Sequence, residues 1–312
     1  MIYFVLGMSC ILIPFLIILT VYYYVIIKQY KESEYFKVTH IPYYNMIHDL
    51  GRTGEYYTYK YLSRLSGTKR FLFNCYVPEN DDSTTEIDVL MIHTSGIYVI
   101  ESKNYSGWIF GTETQKNWTQ SFAAGRGKGK TKQNIFFNPI IQNKTHIKWL
   151  QEYLKEYPAL PFYSYIVFSE RCELKKINLA SQEHVVLKRN NIFSAVDARA
   201  SAVGSVLSQE TIDKIYAKIY PLSQADAATK IKHIQNIKEI KRTSPVRHQA
   251  NLNTNASDSN INISNINEAS HHKVCPKCGG KLILRTAAKG PNAGKRFYGC
   301  SNYPRCRYLR EP

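Results

Sequence analysis

The chain has 312 residues, with 41 lysines and arginines against 24 aspartates and glutamates, and a formal charge of +17. This length allows one domain of ordinary size plus small appendages, and this charge favours polyanionic partners, either nucleic acid or the anionic inner face of a membrane. Four of the seven cysteines cluster near the C-terminus, a distribution that excludes an evenly spread disulfide framework and indicates a reducing compartment.

The first predicted element is a hydrophobic helix at residues 1–27, a segment that contains no charged side chain. It is long enough to cross a hydrocarbon core of about 30 Å, and the tyrosines at positions 22–24 suit the aromatic belt of a membrane protein. A buried core helix and a cleavable signal peptide are the alternatives, although the segment lacks a basic start and a small-residue cleavage site. Lysines follow the segment and none precedes it. The positive-inside rule therefore predicts a single-pass protein of the inner membrane that contacts the lipid bilayer and whose body faces the cytoplasm.

Residues 28–47 are predicted to form a juxtamembrane linker, followed by a helix at 54–66 and a strand at 71–77. Glu55 falls in the first turn of the predicted helix. A carboxylate at that position interacts favourably with the helix dipole.

Residues 86–104 are predicted to form a β-hairpin. Two apolar, β-branched runs at 87–92 and 97–100 flank a turn at 94–96, which is the pattern of two short strands joined by a tight connection.

Three ionisable residues lie at the margins of these runs. Asp88 is near the start of the first strand, and Glu101 and Lys103 are at the end of the second. Antiparallel pairing brings the start of one strand beside the end of the other, and residues two apart on a strand point to the same face. Two carboxylates and one ammonium therefore meet at one end of the hairpin, where they suit Mg²⁺ or Mn²⁺ and phosphodiester cleavage. The alternative is an ordinary salt bridge on a surface hairpin.

A basic, glycine-rich loop at residues 125–133 follows the hairpin and two short tryptophan-containing strands. Its Gly-Lys-Thr sequence resembles the end of a nucleotide-binding P-loop, but the apolar run before it is too short for the strand that a P-loop requires. We expect this loop either to contact DNA phosphates or to be simply solvated.

The next predicted helix runs over residues 139–153 and begins with a proline, which suits the first turn of a helix. Gln142 and His146 share one face of it, because they are four residues apart. His146 is predicted to be a surface or packing residue rather than a ligand. Strands at 163–168 and 184–187 and a helix at 210–220 complete the globular part.

A basic helix beginning near Asp226 and a tether rich in Asn and Ser at 251–270 precede the C-terminus. The tether carries few apolar side chains to bury, which predicts disorder. Two cysteine pairs follow it, a spacing with which four thiolates surround one Zn²⁺ tetrahedrally. The predicted zinc ligands are Cys275, Cys278, Cys300 and Cys306.

The hairpin and its neighbours carry a family resemblance. Residues 51–55 (GRTGE), 86–88 (EID), 96–104 (GIYVIESKN) and 138–142 (NPIIQ) resemble, in this order, the NERD (nuclease-related) domain of the PD-(D/E)xK superfamily. The resemblance covers about residues 48–170, and Ile87 replaces the proline that names the superfamily. It implies an α/β, restriction-endonuclease-like core in which a mixed sheet is flanked by helices.

The same resemblance implies roles for single residues. It implies that Asp88 and Glu101 bind Mg²⁺ or Mn²⁺ and that Lys103 is catalytic. It also makes a metal-site role for Glu55 an alternative to the helix-dipole role, and it places Gln142 near the substrate or the metal.

The C-terminal stretch resembles the four-cysteine zinc finger of bacterial type I DNA topoisomerases, over about residues 274–308. Basic and aromatic residues alternate there, which suits single-stranded nucleic acid through phosphate contact and base stacking. The predicted nucleic-acid-binding residues are Arg285, Arg296, Phe297, Tyr303, Arg305 and Arg307.

These observations predict a membrane-anchored, metal-dependent nuclease that acts on nucleic acid, DNA rather than RNA. A DNA-binding membrane protein whose nuclease-like domain does not cut is the main alternative, and a scaffold that links nucleic acid to the membrane is another. The predicted parts are a transmembrane helix (1–27), a linker (28–47), the nuclease-like domain (48–170), an extension of its core (171–225), a basic helix with a tether (226–272) and a zinc finger (273–312).

Overall fold

The structure, a computed structural model, describes residues 2–80, 83–122, 133–157, 159–243, 282–286, 296–300, 306 and 308–310. The chain divides into two compact units, Met1–Val246 and Arg247–Pro312, and each is described by itself.

The first unit contains helices and strands in mixed order. Its helices are α1 (Ile2–Glu32), α2 (Glu34–Thr39), α3 (Tyr43–Ile47), α4 (Leu50–Leu62), α5 (Pro139–Tyr153), α6 (Ile192–Val203), α7 (Gln209–Ser223) and α8 (Ala227–Thr243). Its strands are β1 (Lys69–Pro78), β2 (Thr84–His93), β3 (Gly96–Lys103), β4 (Gly107–Thr112), β5 (Asn117–Ser121), β6 (Gln133–Phe137), β7 (Phe162–Phe168), β8 (Cys172–Asn178) and β9 (His184–Lys188).

The main sheet has five strands in the order β1-β2-β3-β7-β9. The first three are antiparallel, and β3, β7 and β9 are parallel. Helix α5 lies against β3, where Glu101 contacts His146, while a Cβ on Gly54 of α4 would lie 3.0 Å from the Ser102 hydroxyl. Neighbouring strand residues point to opposite faces, so α4 and α5 flank opposite faces of this sheet. The predicted α/β class with a mixed, helix-flanked sheet is confirmed.

A second sheet has four strands in the order β6-β5-β4-β8. Trp108 and Trp118 lie on strands, as predicted, but those strands belong to this separate sheet. Trp118 is fully buried in a cluster with Phe168 of the main sheet. A Cβ on Gly111 would lie 2.2 Å from the Trp118 ring, so the indole occupies space that only glycine leaves open.

The N-terminal region differs from the prediction. Helix α1 extends through Lys28 to Glu32, and α2 and α3 follow where residues 28–47 were predicted to be a linker. Tyr30, Tyr35 and Met46 are fully buried in the main core, and Tyr30 packs edge-on against Tyr56 with ring centres 5.2 Å apart. These long-range aromatic contacts make the segment an integral part of the fold.

Across the part of the chain that the structure describes, no helix is both long enough and apolar enough to cross a membrane. The predicted transmembrane helix is therefore not supported, and neither is the lipid bilayer as a partner.

Helix α4 begins earlier than the predicted 54–66. The Asp49 side chain accepts a hydrogen bond of 3.0 Å from the Arg52 amide and caps the helix at Leu50. Glu55 therefore lies in the second turn rather than the first, and the helix-dipole interpretation of this carboxylate is wrong, because that effect is confined to the first turn.

The remaining predicted elements have mixed outcomes. The hairpin, the helix at 139–153 and the strands that became β1, β7 and β9 are confirmed within two residues at either end. Asp226 caps α8 by accepting a 2.7 Å bond from the Thr229 amide. Strands β6 and β8 and helix α6 were not predicted. The basic loop, apart from Gln133, and the tether lie outside the described residues.

The second unit contains a small antiparallel sheet of β10 (Leu282–Thr286), β11 (Arg296–Cys300) and β12 (Leu309–Arg310). Leu282, Cys300 and Cys306 form its buried cluster, against which Tyr298 and Tyr308 pack.

Candidate active site

The hairpin of β2 and β3 brings the predicted residues to one place. The strands are antiparallel with Val89 opposite Ile100, which sets Asp88 and Glu101 across from each other on one face of the sheet. The Ser102 amide donates a hydrogen bond of 2.8 Å to Asp88 Oδ2. This bond fixes the Asp88 carboxylate beside the end of β3.

Glu101 is the centre of the cluster. Its side chain is 1% exposed, its Oε1 forms an ion pair with Lys103 Nζ, and its Oε2 lies 3.0 Å from His146 Nε2. Lys103 Nζ also donates to Gln142 Oε1 at 3.2 Å. Helix α5 thus presents Gln142 and His146 to this cluster from one face, as their four-residue spacing predicted.

The position of His146 corrects the sequence-based prediction. It was expected on the helix surface or in plain packing, yet it is 3% exposed and bridges two strands. Its Nε2 meets Glu101, and its Nδ1 lies 2.5 Å from Thr85 Oγ1. The one signal in the sequence was the i, i+4 spacing from Gln142, and nothing local pointed to Thr85.

The ionisable side chains of the cluster shift one another's pKa values. Burial raises the pKa of Asp88, and the neighbouring Glu101 raises it further, while Lys103 lowers it. Burial alone would raise the pKa of Glu101, but Lys103 and the His146 hydrogen bond lower it below its ordinary value. Burial opposes the Lys103 ammonium, but the two carboxylates outweigh it and raise its pKa. Glu101 and Lys103 are therefore both ionised at neutral pH.

Glu55 forms its hydrogen bonds away from this cluster. Its Oε2 accepts from Asn74 Nδ2 at 3.0 Å and from the Tyr35 hydroxyl at 3.2 Å. Asn74 adopts a left-handed backbone with φ of 50°. Burial raises the pKa of Glu55 to about 7, although both hydrogen bonds act in the other direction. Its contribution to the cluster is electrostatic, because its charge raises the pKa of Asp88.

The oxygen donors of the cluster fit a hard divalent cation. Burial raises the pKa of Asp88, and the neighbouring Glu101 charge raises it further. A cation beside the two carboxylates would offset both the cost of burial and their repulsion. Within the described residues no group of three or more His, Cys, Asp or Glu side chains is placed to hold a metal ion. Asp88 and Glu101 are the two carboxylates of this cluster that could hold a cation, because Glu55 forms its hydrogen bonds elsewhere.

The zinc-finger region is described in part. Cys300 and Cys306 are buried in one cluster, whereas Cys275 and Cys278 lie outside the described residues. Arg285 and Phe297 are cross-strand partners, which places a basic and an aromatic side chain side by side on one face. Arg296 starts β11. Tyr303, Arg305 and Arg307 also lie outside the described residues.

Two protein-family models match the chain. The nuclease-related domain matches residues 50–169, and the topoisomerase DNA binding C4 zinc finger matches residues 272–312. Both resemblances seen in the sequence are thereby confirmed.

Individual relatives agree with this division. An uncharacterized protein of Bacillus anthracis is 31% identical over 186 residues, which cover 59% of this chain and 82% of the relative. DNA topoisomerase 1 of Methanocaldococcus jannaschii is 56% identical over 36 residues, 12% of this chain and 4% of the topoisomerase. Uncharacterized protein YrdD of Escherichia coli is 45% identical over 40 residues, 13% of this chain and 19% of YrdD. No solved structure matches the chain.

Proposed function

Because this chain belongs to the same family as the B. anthracis protein and contains a nuclease-related domain and a DNA-binding zinc ribbon, we propose that it is a metal-dependent nuclease that cleaves phosphodiester bonds in DNA. The single observation that carries the proposal is the cluster of Asp88, Glu101 and Lys103, which α5 closes on one side. Glu101 is buried in it, and Asp88 and Lys103 are partly exposed. Domain resemblance alone supports only a nuclease-like, DNA-binding protein.

The metal in this proposal is Mg²⁺ or Mn²⁺. Asp88 and Glu101 would hold it, with the Ser102 backbone carbonyl as a further ligand, and when bound it would neutralise charge on the phosphate and acidify a water molecule.

Lys103 supplies a permanent positive charge. Since Glu101 and Asp88 both raise its pKa, the ammonium cannot serve as a base near neutral pH. It instead binds a phosphate oxygen or orients the attacking water, and so stabilises the charge that develops in the transition state. Gln142 holds the Lys103 Nζ through its Oε1 at 3.2 Å, which fixes the direction of the ammonium.

His146 and Thr85 position Glu101. One carboxylate oxygen of Glu101 contacts His146 and the other contacts Lys103. The two contacts together fix the orientation of the carboxylate plane. The Thr85 hydroxyl fixes the imidazole from its far side. Such outer partners keep a ligand in orientation, and here they also keep the Glu101 carboxylate ionised.

The zinc ribbon binds one structural Zn²⁺ through Cys275, Cys278, Cys300 and Cys306 in this proposal. Its arginines contact phosphates, and Phe297 and Tyr303 stack on bases. The ribbon would deliver nucleic acid to the nuclease-related domain.

A second candidate function is nucleic-acid binding without cleavage. The observation that favours it is that both oxygens of Glu101 already have partners, Lys103 and His146. An ion pair of this kind competes with a metal for the same carboxylate.

One experiment separates the two candidates. The purified full chain is incubated with duplex and single-stranded DNA and RNA, with and without Mg²⁺ or Mn²⁺. Metal-dependent cleavage that Asp88→Ala abolishes supports the nuclease, whereas Lys155→Ala, which removes an exposed lysine beyond α5, should cut like the wild type. Binding without cleavage of any substrate would favour the second candidate.

A further inference from the structure

A cavity of about 500 Å³ lies on the far side of α5 from the candidate active site. It is bounded by α5, the first residues of β7, the start of β9 and α6. Lys144 and Lys148 face it from α5, two residues along from Gln142 and His146. Two residues correspond to roughly 200° around a helix, so the two sites use nearly opposite faces of α5. The volume of the cavity is within the range of small-molecule pockets, about 300–1,000 Å³.

The charge of the lining is positive. Lys144, Lys148 and Arg199 face the cavity, against the single carboxylate of Glu183. Lys144 is engaged by Glu113 at 3.2 Å. An anionic ligand would therefore meet Lys148 and Arg199, both of which are exposed on their helices.

One polar group of the lining has unmet hydrogen-bonding capacity. His184 is 5% exposed, and neither of its ring nitrogens has a hydrogen-bond partner among the described residues. Its nearest carboxylate oxygen, Glu183 Oε2, is 3.8 Å from Nε2, which is too far for a hydrogen bond. Leaving a buried polar group unmatched costs free energy. The ring also borders the cavity, so the charge of a ligand bound there acts on it across a short distance.

Aromatic side chains form the remaining wall. Phe162 and Tyr163 are half-buried at the start of β7 and line the cavity. The guanidinium carbon of Arg199 lies 5.5 Å from the centre of the Tyr163 ring. A flat aromatic ligand group can stack in such surroundings, beside a fixed cation.

We propose that this cavity binds a nucleotide, with Lys148 and Arg199 holding the phosphate and with Phe162 and Tyr163 facing the base. The nucleotide is either a free mononucleotide or the phosphorylated end of a nucleic-acid strand, since both present the same phosphate and base. The proposal is independent of the nuclease chemistry, because none of these side chains belongs to the Asp88–Glu101–Lys103 cluster.

His184 adds a pH dependence to the binding. Burial lowers its pKa, and Lys144 lowers it further, so the ring is neutral in the free protein at neutral pH. The negative charge of a phosphate in the cavity would favour the protonated, positively charged ring. The other titratable or charged groups around the cavity are Lys144, Lys148, Tyr163, Glu183 and Arg199, with Glu113 behind Lys144.

Calorimetric titration of the full chain with AMP, adenosine and inorganic phosphate tests the proposal. AMP should bind more tightly than either part alone. Lys148→Ala and Arg199→Gln should each weaken AMP binding about tenfold, the usual worth of one charge-assisted hydrogen bond. Lys155→Ala removes the same charge from a site 75% exposed outside the cavity and should leave the affinity unchanged. Circular dichroism melting checks that each variant is folded.

Two further arms sharpen the result. AMP should bind more tightly as the pH falls below neutral, and this increase in affinity should be smaller in His184→Gln than in wild type. Because the phosphate of AMP titrates equally in both experiments, the difference between the two proteins reports His184. Displacement of AMP by a 5′-phosphorylated oligonucleotide in EDTA, but not by its 5′-hydroxyl form, identifies the strand end as the source. Absence of displacement by either identifies the free nucleotide. No binding of AMP by the wild type, or equal binding by Lys148→Ala, Arg199→Gln and wild type, would overturn the proposal.

Discussion

The replacement Glu55→Gln should make the first unit more stable above neutral pH. Burial raises the pKa of Glu55 to about 7 in the folded chain, against an ordinary value of 4.5. Between these values the folded state binds more protons than the unfolded state, so stability falls as pH rises through this window. A shift of this size corresponds to about 3 kcal/mol, at about 1.4 kcal/mol per pKa unit. Glutamine keeps the size and the acceptor but cannot ionise.

The assay is urea unfolding followed by tryptophan fluorescence at pH values from 4.5 to 8. All three tryptophans, Trp108, Trp118 and Trp149, lie in the first unit, so the signal reports that unit alone. The stability of Glu55→Gln relative to wild type should rise by about 3 kcal/mol across the range. The matched control Glu152→Gln alters a side chain that is 62% exposed and should show no such trend.

A relative stability of Glu55→Gln that stays constant from pH 4.5 to 8 would refute the reasoning, because it would mean that Glu55 has the same pKa in both states. The same samples test whether Glu55 instead binds the metal ion. If Mg²⁺ stabilises the wild type and not Glu55→Gln, then Glu55 belongs to the metal site after all.

Four further predictions concern the candidate sites and the placement of the chain. Lys103→Ala should lower the rate of metal-dependent cleavage about 10²–10³-fold while Mn²⁺ still binds. Asp88→Ala should abolish both cleavage and Mn²⁺ binding. A rate lowered only about twofold in Lys103→Ala would contradict the role of Lys103. His146→Ala should weaken activity or Mn²⁺ affinity about 10–100-fold, because Glu101 loses an outer partner; an unchanged Mn²⁺ titration and rate would exclude that role. Cys300→Ser should abolish stoichiometric zinc and unfold the ribbon without changing the tryptophan-detected unfolding of the first unit; retained zinc by metal analysis would remove this cysteine from the ligand set. The cytoplasmic placement at the inner membrane stays a prediction, and a reporter fused after Pro312 that is active only outside the cytoplasm would overturn it.

The hairpin shows what local pattern can predict. Alternation of apolar residues and the turn at 94–96 are local properties of the chain, and they alone bring Asp88 opposite Glu101 and set Lys103 on the same face. Helix α5 could likewise be predicted from the sequence. The Asn138 side chain caps it by accepting a hydrogen bond of 2.9 Å from the Ile140 amide, and Pro139 occupies its first turn. Both signals act within a few residues.

One error arose where distant segments meet, and another arose at the start of a helix. The segment at 28–47 has the sequence of a polar linker with scattered tyrosines. It is nevertheless part of the hydrophobic core, because Tyr35 packs edge-on against Phe73 of β1, with ring centres 4.7 Å apart. Glu55 was misplaced in its helix because the Asp49 cap starts α4 before two glycines that discourage a helix in isolation. Neither contact leaves a periodic signal in the sequence.

By itself, the sequence determined the paired cysteines, the hairpin with its three ionisable residues and the α/β class, because each depends on spacing within a short stretch. Only the tertiary structure decided that His146 meets Glu101, forty-five positions away, and that His184 lies at the wall of a basic cavity. These placements depend on how α5 docks onto the parallel strands β3 and β7 and on their register. Docking and register are properties of side-chain packing between elements, which local periodicity does not encode.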